Sequence, residues 1–175
     1  MEERHRLNFE TIEEGRLSLE EYLGRVVFYQ PRSFTRTAFR RFMFAQSKPY
    51  SEMITLVREI KANHGLTIVA VSNEGRELNS HRIHKFRLDQ LVDSFISSCF
   101  VHLRKPDAAI FRLAMDTAQA PPGRVVYIEN TPMFVQVAQE LGIRSILHRD
   151  YQSTRAQLAT LGLRADEGII REAQT

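Results

Sequence analysis

The sequence predicts an α/β fold, a doubly wound parallel sheet preceded by a small helical segment, on three observations. First, "LTIVAVS" (66–72) and "RVVYI" (124–128) are continuous apolar, β-branched runs without the alternation of a half-solvated strand, so they read as strands covered on both faces. Second, from residue 49 onward such runs alternate with segments of helical spacing, the pattern of repeated βα units. Third, the residues before Lys48 carry helical spacing and no apolar strand. The expected division is therefore 1–48, helical, and 49–175, the α/β core. A chain of 175 residues can hold one such core with a small appendage.

Each element has its own warrant. Ser18 and Glu21 stand at capping-box spacing with Leu17 and Tyr22 placed as a staple, which predicts a helix from about Leu19 to Phe28; "GRVVFYQ" continues it. After Pro31 and Ser33, "FTRTAFRRFMFAQ" puts Phe34, Ala38, Phe39 and Phe42 on one expected core face between arginines. In "YSEMITLVREIKANHG" the residues Met53, Ile54, Val57 and Ile60 share a face, and Gly65 ends the helix. Beyond the strand at 66–72, a polar amphipathic stretch runs from about Leu78 to Leu91 and leads into "CFVHL" (99–103), expected as the next strand. Then follow a helix from Asp107 to Ala118, a break at Pro121, Pro122 and Gly123, the strand "RVVYI", and a helix from Pro132 to Leu141 closed by Gly142. "IRSILH" (143–148) is the last strand and Ser153 to Leu161 the last helix.

Bulk composition excludes several functions. With 43% hydrophobic and 26% charged residues and no low-complexity tract, the chain is not disordered. A net charge of +3, from 24 basic against 21 acidic residues, is too small to imply nucleic acid, and the cluster "HRIHKFR" reads as a solvated helix face. His81 and His84 could share a face, but no third ligand stands near, so no zinc site is expected. Cys99 is the only cysteine, which rules out an intrachain disulfide and suits a core position in a reducing cytoplasm. "MEERHRLNFETIEEG" is unlike a signal peptide, and nothing approaches the roughly 20 apolar residues of a membrane span. The expectation is a cytoplasmic protein, neither secreted nor membrane-embedded.

In an open parallel sheet, ligands bind beyond the carboxyl ends of the strands, where loops and helix N-termini converge. Three strand ends carry candidates. "VSNEG" offers the Ser72 hydroxyl and the Asn73 amide to an anion, though a plain turn explains it equally. "RKPDAAIF" holds Lys105, a point charge suited to phosphoryl or carboxylate groups, just before a helix. "YIENTPMF" ends a strand on Glu129 and Asn130, oxygen ligands of the kind Mg²⁺ takes, with Thr131 placed to cap the next helix and Pro132 in its first turn.

Taken together, in this order and with the tail "AQELGIRSILHRD", the three motifs resemble the haloacid dehalogenase-like (HAD) superfamily over about residues 50–163. The resemblance implies a Rossmann-like core, a small helical cap in the preceding residues, and Mg²⁺-dependent phosphatase chemistry. By that resemblance Ser72 binds the transferred phosphoryl group, Asn73 binds substrate nearby, Lys105 neutralises charge on phosphoryl and nucleophile, and Glu129 and Asn130 serve the metal. From "VSN" onward the chain looks most similar to the branch containing sugar-phosphate phosphatases, soluble epoxide hydrolase N-terminal phosphatase domains and 2-haloacid dehalogenases.

The chain departs from that family at two points. The family's first motif, an Asp-x-Asp ending an N-terminal strand, is absent, and no aspartate precedes Asp89. Asn130 also stands where a metal-binding Asp is expected. The missing first strand is normally central, between "LTIVAVS" and "RVVYI", and an unfilled gap leaves backbone groups unpaired. Three closures are open: direct pairing of those strands, a strand lent by another chain, which requires at least a dimer, or an N-terminal segment outside this sequence. Either Met1 is an internal start, or the chain is a degenerate relative.

The expected function is accordingly a HAD-like phosphomonoesterase for a small phosphorylated metabolite in its complete form, with this chain inactive. The alternative is a non-catalytic module that binds a phosphorylated or otherwise anionic ligand or a protein partner; 2-haloacid dehalogenation is the minor one. Neither nucleic acid nor membrane is an expected partner. Lys105→Ala is expected to abolish anion binding and to alter folding little.

Overall fold

The structure, a computed structural model, describes residues 1–165; the end of the expected 49–175 unit lies outside the described residues. Three helices come first: α1 (Glu2–Glu13), α2 (Leu19–Val26) and α3 (Arg36–Ala45). The capping box forms as read: the Glu21 N–H donates to Ser18 Oγ at 3.2 Å and the Ser18 N–H to Glu21 Oε2 at 2.9 Å. Leu19, Leu23, Val26 and Val27 are buried together, and Ile12, Tyr22, Phe28, Phe39, Met43 and Phe44 pack on them, so residues 12–44 have an apolar cluster of their own.

The aromatic stripe of α3 is rotated from its expected phase. Phe39 packs inward, but Phe34 is 41% and Phe42 60% exposed, and Met43 and Phe44 take their places. Thr35 caps the helix by accepting from the Ala38 N–H, and Arg36 and Arg40 lie over the rings of Phe28 and Phe44 at 5.0 and 5.3 Å. Guanidinium groups over ring faces need one side in water, so the inward line is 39, 43 and 44.

The rest alternates strand and helix: α4 (Ser51–His64), β1 (Val69–Ser72), α5 (Arg76–Lys85), β2 (Ser94–Ser97), α6 (Ser98–Val101), α7 (Ala108–Ala118), β3 (Val126–Glu129), α8 (Pro132–Glu140), β4 (Arg144–Leu147) and α9 (Tyr151–Thr160). Gly65 closes α4 at φ 60°, as expected of its position.

One strand lies elsewhere than expected: β2 is "SFIS", and "CFVHL" begins as the short helix α6. Asp93 fixes where β2 starts. Its Oδ2 accepts from the Ile68 N–H at 2.7 Å and its Oδ1 pairs with Lys61 at 2.8 Å, aligning the entries of β1 and β2. Two buried serines end it: Asn79 donates to Ser97 Oγ, while Ser98 Oγ donates to the Glu13 carbonyl and accepts from the Glu74 N–H. Periodicity cannot place a boundary inside an apolar run that continues from Phe95 to Leu103. Cys99 is fully buried, a core residue as read, and burial pushes its thiol up.

The strands form two parallel pairs. β1 lies beside β2, with Ala70 opposite Phe95, and β3 beside β4, with Tyr127 opposite Ser145. Among the described residues no ladder joins β1 to β3, so direct pairing of those strands, one of the three closures, does not occur. Helices cover both faces nonetheless. Tyr127 packs with Ile110 and Phe111 of α7 and Ala138 of α8, whereas Val126 and Ile128 pack with Leu56 and Ile60 of α4 and Leu158 of α9. Alternate residues of one strand thus enter opposite cores, the period-2 consequence of a doubly wound sheet.

The helical segment meets the core where Gly15 has φ +70° against α6, and a Cβ there would overlap the Cys99 carbonyl oxygen. Gly15→Ala should lower stability by about 1–3 kcal/mol through overpacking, plus the strain of its backbone angle. Gly65→Ala, with nothing within 4 Å of its Cβ, should lose only the smaller strain term. Urea unfolding of the two variants checks the difference.

Candidate functional site

The carboxyl ends of β1 and β3 are brought together by one carboxamide and one ion pair. Asn73, one residue beyond β1, bonds the backbone of Lys105 with both ends of its carboxamide: Nδ2 donates to the Lys105 carbonyl at 2.8 Å, and Oδ1 accepts the Lys105 N–H at 2.8 Å. The Lys105–Pro106 peptide is cis, and Asp107 caps α7 by accepting from the Ala109 N–H. Held in this way, Lys105 reaches across to β3. Its ammonium donates to Glu129 Oε2 at 2.6 Å and to the Tyr127 hydroxyl at 3.2 Å, and that hydroxyl donates to the same Glu129 oxygen at 2.7 Å.

Glu129 Oε1 accepts from the N–H groups of Asn130 and Thr131 at 2.9 and 3.1 Å. The carboxylate therefore satisfies the two N–H groups of the turn that leads into α8, and Thr131, at the N-cap, makes no side-chain cap bond of the expected kind. Pro132 occupies the first turn as read.

Lys105 is only 6% exposed, and both partners of the pair are buried. That overturns the expectation that Lys105→Ala leaves folding alone, because it would strand a buried carboxylate. Burial works to raise the Glu129 carboxyl, but hydrogen bonds from Lys105 and Tyr127, the lysine charge and the Thr131 N–H outweigh it and hold the group below its ordinary range. Burial pushes the Tyr127 hydroxyl up, and the Glu129 carboxylate adds to the shift.

Beside the pair lies a crevice of about 360 Å³ bordered by Ser72, Asn73, Lys105, Arg104, Phe9 and Glu13. Three of the residues read from sequence thus share one wall. Glu129 stands behind Lys105 rather than on that wall, and Asn130 is exposed. Of the three ammonium hydrogens of Lys105, two are engaged and one is left for a ligand. The Ser72 hydroxyl has no hydrogen-bond partner among the described residues.

Periodicity did not reveal Arg104, Glu13 and Phe9. Arg104 donates to Glu13 Oε2 at 2.8 Å and to Glu10 Oε1 at 2.9 Å, with the Phe9 ring 5.6 Å from its guanidinium, so α1 closes one side of the crevice. Glu10 and Glu13 share a helix face at i, i+3 spacing, but a partner some 90 positions away leaves no local signal. Tyr127 was not among the candidates either, although a signal existed, since residues two apart on a strand share a face and Tyr127 stands two before Glu129.

Each carboxylate around the crevice is matched: Glu13 with Arg104, Glu74 with Arg82 and Glu129 with Lys105. For magnesium the fit is poor. Glu129 has both oxygens occupied, Asn130 brings a neutral amide, and no group of three His, Cys, Asp or Glu residues suited to a metal occurs among the described residues. The expected ligand pair does not by itself make a magnesium site.

Lys105→Met should cost about 3–5 kcal/mol, and adding Glu129→Gln should return most of it, since the second change removes the stranded charge. Urea unfolding of the double-mutant cycle measures this. Because the folded Glu129 carboxyl lies below its ordinary 4.5, its stabilisation is complete above that pH and is lost as pH falls through the depressed range. Glu129→Gln should flatten that acid limb. Tyr127 acts in the opposite direction: with its folded hydroxyl raised, stability falls above pH 10.0, and Tyr127→Phe should remove that fall.

Comparison with known proteins agrees with this fold. A family model described as haloacid dehalogenase-like hydrolase matches residues 1–143. Among curated proteins, the chain is 35% identical over 66 residues to the bifunctional epoxide hydrolase 2 of Sus scrofa, covering 38% of this chain and 12% of that one. It is 29% identical over 109 residues to a drimenol cyclase of Aspergillus calidoustus, covering 62% and 21%. The chain thus spans a small part of either relative. Among solved structures, a HAD family enzyme from Bacteroides thetaiotaomicron, in complex with magnesium and inorganic phosphate, superposes with a TM-score of 0.71 at 18% identity, over 85% of this chain and 79% of that one. A HAD-like family hydrolase from Porphyromonas gingivalis gives 0.70 at 20% identity, over 90% and 79%.

Proposed function

Because the chain belongs to the haloacid dehalogenase-like hydrolase family, we propose that its crevice binds the phosphoryl group of a small phosphorylated metabolite, as the binding half of a phosphomonoesterase. The observation that carries this reading is the shared wall of Ser72 and Lys105 at the carboxyl ends of the strands. Ser72 donates its hydroxyl, Lys105 its remaining N–H, and Asn73 holds the lysine backbone in place. Residues 1–48 serve as the cap, with Arg104, Glu13 and Phe9 forming its contact at the crevice mouth.

The chain by itself carries out no turnover in this reading. The family's displacement at phosphorus uses a carboxylate nucleophile, which must be free to face the crevice, and Glu13, Glu74 and Glu129 are each held by a cation. Magnesium likewise requires carboxylate oxygens beyond those of Glu129 and Asn130. The same pairing favours the second reading, a module that binds an anionic ligand without chemistry. A 2-haloacid dehalogenase is less favoured, since it would need the same missing carboxylate. Among the described residues no helix is long and apolar enough to cross a membrane, and the buried free thiol of Cys99 suits the cytoplasm.

Phosphate binding should be weak, with a Kd of about 1–10 mM. Ser72→Ala should weaken it by about fivefold, the net worth of one hydrogen bond of about 1 kcal/mol. Phosphorus NMR titration measures both, and no response to phosphate would remove the crevice from consideration. An aryl phosphate assay with magnesium should give no rate above the uncatalysed one; turnover would overturn the account of the paired carboxylates.

A further inference from the structure

The helical segment carries a charge distribution that the crevice does not use. Between Glu21 and Glu52 the chain has six cations, Arg25, Arg32, Arg36, Arg40, Arg41 and Lys48, and no acid. A second acid-free stretch, between Glu77 and Asp89, holds Arg82, Lys85 and Arg87 with His81 and His84. The fold brings the two together. The Phe44 ring of α3 stacks on the His81 ring of α5 at 4.6 Å, the Arg40 guanidinium lies 5.3 Å from the same phenyl ring, and Arg82 Nε donates to Ser47 Oγ at 3.1 Å. Lys48 follows Ser47, and Lys85 stands one turn beyond His81, so cations remote in sequence share one region of the surface. The net charge of +3 conceals this region, because the remainder of the chain is acidic on balance.

The outward face of α3 is also apolar. Phe34, just before the Thr35 cap, and Ala38, Phe42 and Ala45 are all exposed at helical spacing on one side, with Arg41 among them. Phe34 and Phe42 flank Phe39, with ring centroids 5.6 and 6.3 Å from its own, so the packed cluster beneath continues outward into solvent-facing rings. Arg36 and Arg40 share the carboxylate of Glu20 at 3.7 and 3.6 Å, while Arg41 and Lys48 have no acidic partner among the described residues. Surplus positive charge beside exposed phenyl rings is what an interfacial helix presents to a negatively charged bilayer.

We propose that the outer face of α3, with the adjoining cations of α5, docks the protein on an anionic lipid surface: the arginines and lysines meet lipid phosphate and carboxylate groups, and Phe34 and Phe42 enter the boundary between headgroups and acyl chains. Two arguments favour lipid over nucleic acid, the other polyanion of suitable charge. A nucleic-acid backbone would satisfy the cations and leave both rings in water, whereas a bilayer surface takes up charge and rings together. Single strands are held in a charged groove, and the charged crevice of this chain borders no residue of α3 or α5. For the same reason the inference does not depend on the phosphoryl reading. It concerns adsorption to a surface, which calls for no membrane-spanning helix.

The test sediments the whole chain with vesicles of phosphatidylcholine alone, and of phosphatidylcholine with about a third phosphatidylserine, at low and at physiological salt. The protein should pellet with the second and not with the first, and lose affinity as salt rises. Arg41→Gln should weaken binding by about fivefold, the worth of one cation near such a surface, and Phe42→Ser by about tenfold, through lost burial of the ring. Both side chains are exposed, so an unchanged Tm verifies that the variants fold. The control, Arg112→Gln, removes an exposed charge on α7 and should weaken binding by less than about twofold. No pelleting with anionic vesicles overturns the proposal, as do equal losses in Arg41→Gln and Arg112→Gln, which would mean that net charge alone is read. Unchanged binding of Phe42→Ser, or tighter binding to a single-stranded oligonucleotide than to anionic vesicles, would overturn the choice of lipid.

Discussion

The Lys105–Glu129 pair is the constraint on which the α/β core turns. Lys105 belongs to the β1–β2 half, tied there by Asn73, and Glu129 is the last residue of β3 in the other half. With no ladder between the halves among the described residues, their carboxyl ends are joined by this pair and the Tyr127 hydroxyl bound to both partners. A buried ion pair gives little net stability against an apolar replacement, but it sets geometry tightly, because any departure leaves a charge unpaired in a poorly solvated place. Here the geometry so set is that of the crevice wall.

The same pairing governs what the crevice can do. Glu13, Glu74 and Glu129 are each matched by a cation, and Arg104 holds Glu10 as well, so an incoming anion meets no surplus positive charge, only one ammonium hydrogen and one hydroxyl on offer. Under the proposed function, such a site would orient a phosphoryl group more than it attracts one. Chemistry would call for a further acid, unpaired and on the far side of that group, and none of the described acids at the crevice is in that position. Family, fold and crevice are thus consistent with a hydrolase, while the charges of this chain are consistent with binding alone.

Much of this could be read from the chain. Ser18 and Glu21, Gly65, Asp107 and Pro132 marked helix ends because capping is local chemistry, decided within a few residues. Ser72, Asn73 and Lys105 could be named because strand ends in a parallel sheet converge, whatever the side chains. The failures share one cause. The start of β2 depends on Asp93 holding Ile68 and Lys61, the phase of α3 on arginines lying over rings, and the burial of Lys105 on Glu129, 24 positions away. Each is a contact between distant residues, and apolar periodicity carries no record of those. Asn73 shows the same limit: its bonds to the Lys105 backbone, 32 positions away, left no trace in the local sequence.

The central claim is that two half-sheets stand side by side, joined at their carboxyl ends by a salt bridge and open along the facing edges of β1 and β3. Residue-resolved amide hydrogen exchange of the free protein tests it most directly. The account predicts that amides of Val69–Ser72 and Val126–Glu129 laddered to β2 and β4 are protected, and that alternate amides on the facing edges exchange orders of magnitude faster. Uniform protection along both strands would mean that the facing edges are paired, and would contradict the account.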